Sequence, residues 1–186
     1  SEIQKIEYIR EKFLSTSEIF GFELMEPSSI ELMSVIEAKS GPAIRDDVYF
    51  FNDKGDSEVS LRFDFTVGLT RYVTGQKSMK LPAKISAFGG VWRYDEPQKG
   101  RYRFFHQWDI EIFGKQNTET DAEIIEFTSK FFSNLGFENI ILSISHRKIV
   151  QSYISSVFES DKPELISDIL RAIDKIQKKS KQEMLL

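Results

Sequence analysis

Ile3, Ile6, Ile9 and Phe13 recur at helical spacing, so an amphipathic helix is expected to open the chain and to end before Gly21. The next apolar run, GFELMEPSSIE, is short and carries Pro27. It suits a strand that stops at an edge or bends, because proline donates nothing to a ladder. Past the turn-rich connector SGPAIRDD, the segments VYFF and EVSLRFDFT flank NDKGDS, which predicts a hairpin with its turn at Lys54 and Gly55. Its second arm alternates, with Val59, Leu61, Phe63 and Phe65 on one side and Ser60, Arg62, Asp64 and Thr66 on the other. Helical spacing returns from Val67 to Val73, and GQKSMKLPAK reads as a loop.

A second hairpin follows in FGGVWRYDEPQKGRYRFFHQWDIEIFG, Phe88 to Gly114. Its first half puts Val91, Arg93 and Asp95 on one side and Gly90, Trp92 and Tyr94 on the other. In its second half Phe104, His106, Trp108, Ile110 and Ile112 oppose Phe105, Gln107, Asp109, Glu111 and Phe113. Beyond it, Thr118 and Asp121 read as a capping box ahead of Ile124, Phe127, Phe131 and Leu135, and Gly136 ends the helix. FENIILSIS alternates as a strand, and two helical segments separated by DKP run from His146 to the end. The order predicts an α+β fold in which an antiparallel β-sheet is flanked by helices. Neither GxxxxGK[ST] nor GxGxxG occurs.

Composition narrows the chemistry. There is no cysteine and there are two histidines, His106 and His146, which excludes thiol nucleophiles and thiolate metal sites and leaves carboxylates and arginines. Both histidines are read as structural, His106 as a packed ring and His146 at a strand-to-helix corner. The net charge of −4 and pI near 5.4 argue against a general nucleic-acid-binding module. They leave room for one compact basic turn, KGRYR, from Lys99 to Arg103. The run KIQKKSK, Lys175 to Lys181, reads as a solvated helix face. With no apolar run near membrane length and no signal-like start, no membrane role and a cytoplasmic location are expected.

A polar strand face is usually just wet. Here Phe105 and Phe113 bracket Gln107 and Glu111, apolar walls around few polar groups, as in a ligand pocket. The adjacent Gly89 and Gly90 leave space for a backbone or ligand to approach. If the two hairpins share one sheet, Asp64, Thr66, Arg93, Gln107 and Glu111 line a common concave surface.

The Phe88–Gly114 stretch closely resembles motif 2 of the class II aminoacyl-tRNA synthetases in their histidyl form, with its arginine-bearing strand, EPQKGRYR loop and FHQ-containing strand. LRFDFTVGLTRYV is similar to the histidine-binding stretch of histidyl-tRNA synthetases, and IFGFELMEPSSIEL to motif 1, the dimer-forming helix and strand. The likeness runs from about Ile3 to Ser145. The DFT at Asp64, where bacterial members more often have EGT, looks archaeal or eukaryotic in type.

This resemblance implies ATP-dependent activation of L-histidine to the adenylate and transfer to tRNA(His), with Mg2+ on the ATP phosphates and a homodimer formed through motif 1. It implies that Arg93 is catalytic, contacting both the amino-acid carboxylate and the α-phosphate. Arg101 would hold the terminal phosphates, Phe105 would stack under adenine, and Asp95 would lie near its exocyclic amine. Asp64, Thr66 and Gln107 would receive the α-ammonium group, with Phe65 in the same substrate-binding stretch, and Glu111 would accept the imidazole N–H. Glu96, Gln98 and Lys99 would face the tRNA acceptor end. No side-chain metal site is implied.

The family's glycine-rich motif 3 and its RGLDYYTG-like segment have no counterpart, nor does an anticodon-binding domain. Residues 1–160 are therefore expected to be a partial catalytic core truncated before motif 3, and 161–186 the helical start of an insertion. Such a piece would keep the histidine pocket and half of the ATP site, and would turn over slowly or not at all. The alternative is the synthetase-like regulatory subunit of ATP phosphoribosyltransferase, which shares the fold but commonly erodes the ATP-handling residues that are intact here.

Overall fold

The structure, a computed structural model, describes residues 1–158 and 162–175. Most of the basic run Lys175–Lys181 lies outside the described residues. Contacts divide the chain into two compact units, Ser1–Ile140 and Ile141–Leu186. The boundary read from the sequence at residue 160 marks something else, the start of an expected insertion.

In the first unit α1 (Glu2–Ile19) starts with a capping box between Ser1 and Gln4, and its inner face buries Phe13, Thr16 and Ser17. Ile6 and Ile9 pack at the margin, while Ile3 stays exposed. Gly21 takes a positive φ of 73° where the chain leaves the helix, as expected. It then forms β1 (Glu23–Leu24), the bend at Pro27, and β2 (Ile30–Leu32). Next comes a helix the sequence reading passed over, α2 (Met33–Ser40), whose Met33 and Ile36 pack on Val48. The expected connector SGPAIRDD is mostly a 3-10 helix, Pro42–Asp46.

β3 (Phe50–Asn52) and β4 (Glu58–Leu61) form the expected antiparallel hairpin. Its turn is held by Asp53, whose Oδ1 accepts from the Gly55 and Ser57 amides, and Asp56 takes the positive φ of 61°. The alternation predicted through Thr66 stops at Leu61, because α3 (Thr66–Gly75) begins at Thr66.

The second hairpin is β5 (Ala83–Trp92) against β6 (Phe104–Phe113), paired from Ala83 with Phe113 to Trp92 with Phe104. α4 (Thr118–Asn134) follows, with its capping box at Asn117 and Thr120. That is one residue earlier than predicted, because Thr118 is already helical and the extended Asn117 supplies the acceptor at 3.0 Å from the Thr120 amide.

The two hairpins do not share one sheet, contrary to the condition set above. The strands run β1-β5-β6 in one sheet and β2-β4-β3 in the other, and β1 lies parallel to β5. Backbone bonds between the sheets replace a shared ladder: the Trp92 amide donates to Arg62 O at 3.0 Å, and the Tyr94 amide to Asp47 O at 2.8 Å. The α+β class stands, with helices over both faces of the β5-β6 ribbon.

One face meets α1 and α4 in an aromatic core of Phe13, Phe22, Phe88, Phe127 and Phe131. Trp108 sits edge-on to Phe131 at 5.1 Å, a geometry that aligns ring edge with ring face. The opposite face meets α3 through Phe65, Leu69, Ile85, Ala87 and Val91, with Phe105 and Phe113 packed against them. Among the described residues β6 has β5 as its one ladder neighbour, so its far edge is open.

In the second unit α5 (Arg147–Phe158) and α6 (Pro163–Lys175) match the two helical segments expected. FENIILSIS is not a strand. Residues 137–146 are irregular and join no ladder among the described residues, and Ile141 is 91% exposed. His146 Nδ1 accepts from the Lys148 amide at 3.3 Å at the start of α5, a capping role. No helix among the described residues is long and apolar enough to cross a membrane.

Candidate active site

Arg93 leaves the end of β5 on the side that carries Val91, as the alternation predicted. Its Nε donates to Phe63 O at 3.0 Å and its Nη2 to Gln107 Oε1 at 2.9 Å. The guanidinium lies over the Phe105 ring, 5.1 Å from its centroid. A carbonyl, an amide and an aromatic ring thus fix the fork in one orientation before any ligand arrives. The close approach of Phe63 to Arg93 depends on Arg62, which is 4% exposed. Arg62 donates to Gly90 O at 2.8 Å, to Pro27 O at 2.7 Å and to the Glu26 carboxylate at 2.8 Å.

That staple corrects the reading of the twin glycines. A Cβ on Gly89 would stand 3.1 Å from Arg62 Nη2, and one on Gly90 would stand 2.4 Å from the Phe104 ring. The protein's own side chains use the space left by the missing side chains.

The DFT stretch sits at the N-terminus of α3. Asp64 is partly exposed and paired with Lys39 of α2 at 3.1 Å. Such a half-exposed pair is worth roughly 0–1 kcal/mol, so an incoming ammonium group can take the place of the lysine. Thr66 is partly exposed on the first turn. Phe65 is fully buried in the α3 core under the Arg62 guanidinium, so its side chain serves packing.

On β6, Gln107, Asp109 and Glu111 point to the same side, opposite Gly89, Ala87 and Ile85 of β5. Gln107 Nε2 donates to Asp109 Oδ2 at 3.3 Å. Glu111 is partly exposed, and among the described residues its carboxylate accepts no side-chain hydrogen bond. It is free to receive an N–H.

Asp109 was given no role from the sequence. Burial, followed by the charges of Glu111 and Asp64, pushes its carboxyl up to about 7, and the Gln107 hydrogen bond only partly offsets this. The folded chain therefore holds this proton where the unfolded chain has lost it. Stability from this group is full below the ordinary carboxylate range and falls as pH rises toward about 7. Urea unfolding at about pH 5 and about pH 8 should show higher stability at the lower pH, and Asp109→Asn should shrink the difference.

The loop between the strands closes in a tight turn, with Gln98 and Arg101 bridged and Gly100 at φ 81°. Glu96, Gln98 and Lys99 are exposed at its tip. Arg101 donates to Asp95 at 2.8 Å, which holds the Asp95 carboxyl below its usual range. Two residues expected to touch different parts of a nucleotide thus satisfy each other, through a contact weak enough to exchange. Arg103 lies over the Tyr94 ring at 4.2 Å, and Tyr94 meets Tyr49 edge-on, bracing the base of the loop. His106 is exposed beside Phe88 and Phe104, not a packed ring as expected.

A cleft of about 680 Å³ lies at the C-terminal end of β6 between Glu111, Phe113, Lys115, Thr120 and Ile124. Glu111 is the polar residue this cleft shares with the β6 face that carries Gln107, and the Arg93 fork beside Gln107 is partly exposed.

A sequence profile of histidyl-tRNA synthetases matches residues 1–183. Histidine–tRNA ligase of Pyrobaculum islandicum is 31% identical over 97% of the chain and 42% of its own length. The enzyme of the same description from Clostridium tetani is 38% identical over 87% of the chain and 36% of its own length. The chain thus spans about two fifths of these relatives. Among solved structures, the histidyl-tRNA synthetase of Nostoc sp. superposes with a TM-score of 0.80 at 22% identity, covering 99% of the chain and 41% of that protein. A protein from Bacillus halodurans described as an ATP phosphoribosyltransferase regulatory subunit/histidyl-tRNA synthetase gives 0.75 at 18% identity, covering 86% and 41%. At these identities the superpositions speak for the fold alone, while the profile spans nearly every residue: the chain belongs to the histidyl-tRNA synthetase family.

Proposed function

We propose that this chain supplies the histidine pocket and half of the ATP site of a histidine–tRNA ligase, which joins L-histidine to ATP and passes it to tRNA(His). The observation that carries the reading is the Arg93 fork, held by Phe63 O and Gln107 over Phe105, beside an unencumbered Glu111. Attack of the histidine carboxylate on the α-phosphate moves negative charge onto oxygens that one planar guanidinium spans. A preorganised donor there stabilises the transition state without reorganising.

Asp64, Thr66 and Gln107 receive the α-ammonium group, with Lys39 displaced from Asp64. Glu111 accepts the imidazole N–H and sets specificity, since a histidine analogue without that N–H leaves a desolvated carboxylate unpaired. Phe105 carries the adenine, Asp95 its amine, and Arg101 swings from Asp95 to the terminal phosphates. Glu96, Gln98 and Lys99 approach the acceptor end of the tRNA. Mg2+ enters with ATP. Phosphate oxygens would be its main ligands, as is usual for this ion.

The working form is a cytoplasmic homodimer. Ile30, Leu32 and Phe51 share one face of the β2-β4-β3 sheet and are each about half exposed, an apolar surface suited to a second copy.

Calorimetric titration with L-histidine, and then with a non-hydrolysable histidinyl-adenylate analogue, tests the reading. Both should bind, and the analogue should bind at least a hundredfold more tightly because it adds the contacts of Arg93 and Phe105. Binding of histidine alone would favour the regulatory-subunit reading, and binding of neither would leave only a dimerising domain, visible by sedimentation.

A further inference from the structure

We infer that Asp109 is a positioning residue for the histidine pocket: it locks the side-chain amide of Gln107 with its oxygen toward Arg93. The inference rests on the proposed function for the identity of the ligand, but the lock is a property of the ligand-free chain.

An arginine guanidinium has donors only. The atom of Gln107 that lies 2.9 Å from Arg93 Nη2 must therefore be its oxygen. Once that is fixed, the amide nitrogen points the other way, and it ends 3.3 Å from Asp109 Oδ2. The spacing is built into β6: residues two apart share a face, so Gln107 and Asp109 stand side by side. Across the ladder they face Gly89 and Ala87, which offer no competing polar atom. Arg93 thus heads a relay, donating to Phe63 O on one side and to Gln107 on the other, and Gln107 in turn donates to the terminal acceptor, Asp109.

Direction matters for the ligand. Gln107 Oε1 has a second lone pair, the one left to accept from an ammonium group. A turned amide would present two hydrogens to Arg93 and to the ligand, repelling both. Asp64, 16% exposed, and Glu111 are the charged groups that face Asp109, and Lys39 neutralises Asp64 from α2. Neither carboxylate is bonded to the Gln107 amide, so neither replaces Asp109 as the terminal acceptor.

The test compares Asp109→Asn, whose carbonyl oxygen can still accept from Gln107, with Asp109→Leu, which cannot. In the ligand-free protein the nitrogen and proton shifts of the Gln107 side-chain amide, read by NMR, should stay close to wild type in the asparagine variant and collapse toward solvent-averaged values in the leucine variant. Affinity for L-histidine should fall at least tenfold in Asp109→Leu and less than threefold in Asp109→Asn, while affinity for ATP alone changes less than threefold in both. If the leucine variant does not fold, the wild type decides: its Gln107 amide shifts should follow the titration of the Asp109 carboxyl. Amide shifts that ignore both the substitutions and that titration overturn the inference. Wild-type protein that shows the amide behaviour but binds no histidine overturns the functional reading and leaves the relay standing.

Discussion

Replacing Arg62 with methionine is expected to lower the unfolding free energy by about 2–6 kcal/mol, as stranding two carbonyl acceptors does. The side chain is 4% exposed and serves three acceptors drawn from different parts of the fold: Gly90 O on β5, Pro27 O in the bend before β2, and the Glu26 carboxylate. Glu26 contributes little of the total, because its side chain is 61% exposed and rehydrates when the arginine is gone. The two carbonyls cannot do the same so easily, and each stranded acceptor costs about 1–3 kcal/mol. The matching substitution Glu26→Gln, which keeps an acceptor oxygen, should therefore cost under about 1 kcal/mol. Urea titration followed by tryptophan fluorescence reports the difference. Equal midpoints for the two variants would mean that the ion pair and not the carbonyls holds the sheets together. The consequence reaches the active face, because the same residue's backbone carbonyl receives the Trp92 amide one residue before Arg93.

Replacing Arg93 with lysine should leave the fold intact and weaken binding of a histidinyl-adenylate analogue about a hundredfold, close to 3 kcal/mol. Charge is conserved in this substitution, so the loss is geometric. The guanidinium reaches Phe63 O with Nε and Gln107 Oε1 with Nη2 while its plane rests on Phe105. An ammonium is a single point and cannot hold both acceptors and still offer a planar pair of donors to carboxylate and phosphate. Stability should fall by only about 1 kcal/mol, the worth of one exchanged hydrogen bond. Competition titration against the analogue, beside a urea curve on the same sample, separates the two effects. A lysine variant that binds the analogue as tightly as the parent would remove Arg93 from its proposed role.

Period-2 spacing made the polar face of β6 legible: Gln107, Asp109 and Glu111 alternate with Trp108 and Ile110, and the ladder keeps them on one side. The helical phenylalanines of α4 were legible for the same reason, since Phe127 and Phe131 are one turn apart and both are buried. Local pattern failed where the outcome depended on distant partners. Whether FENIILSIS becomes a strand depends on a neighbour, and its own alternation is silent about one. Arg62 looked like one more polar residue on an alternating arm, and only the approach of Pro27, Glu26 and Gly90 turns it into the buried staple. Asp109 was visible on the right face, but its role follows from which atom of Gln107 meets Arg93, which no spacing encodes. Phe65 sits in the ligand-binding stretch by sequence and in the core by structure because α3 begins at the next residue and turns its ring inward.

Among the described residues, the strand that presents Gln107 and Glu111 is also the margin of its sheet, with β5 on one flank and no ladder on the other. Peptide groups on a strand edge without a ladder bond to water, and a water-bonded peptide breathes more readily than a laddered one. Whatever seats a backbone there stiffens the plank from which the pocket's side chains hang, so ligand affinity and occupancy of that margin rise and fall together.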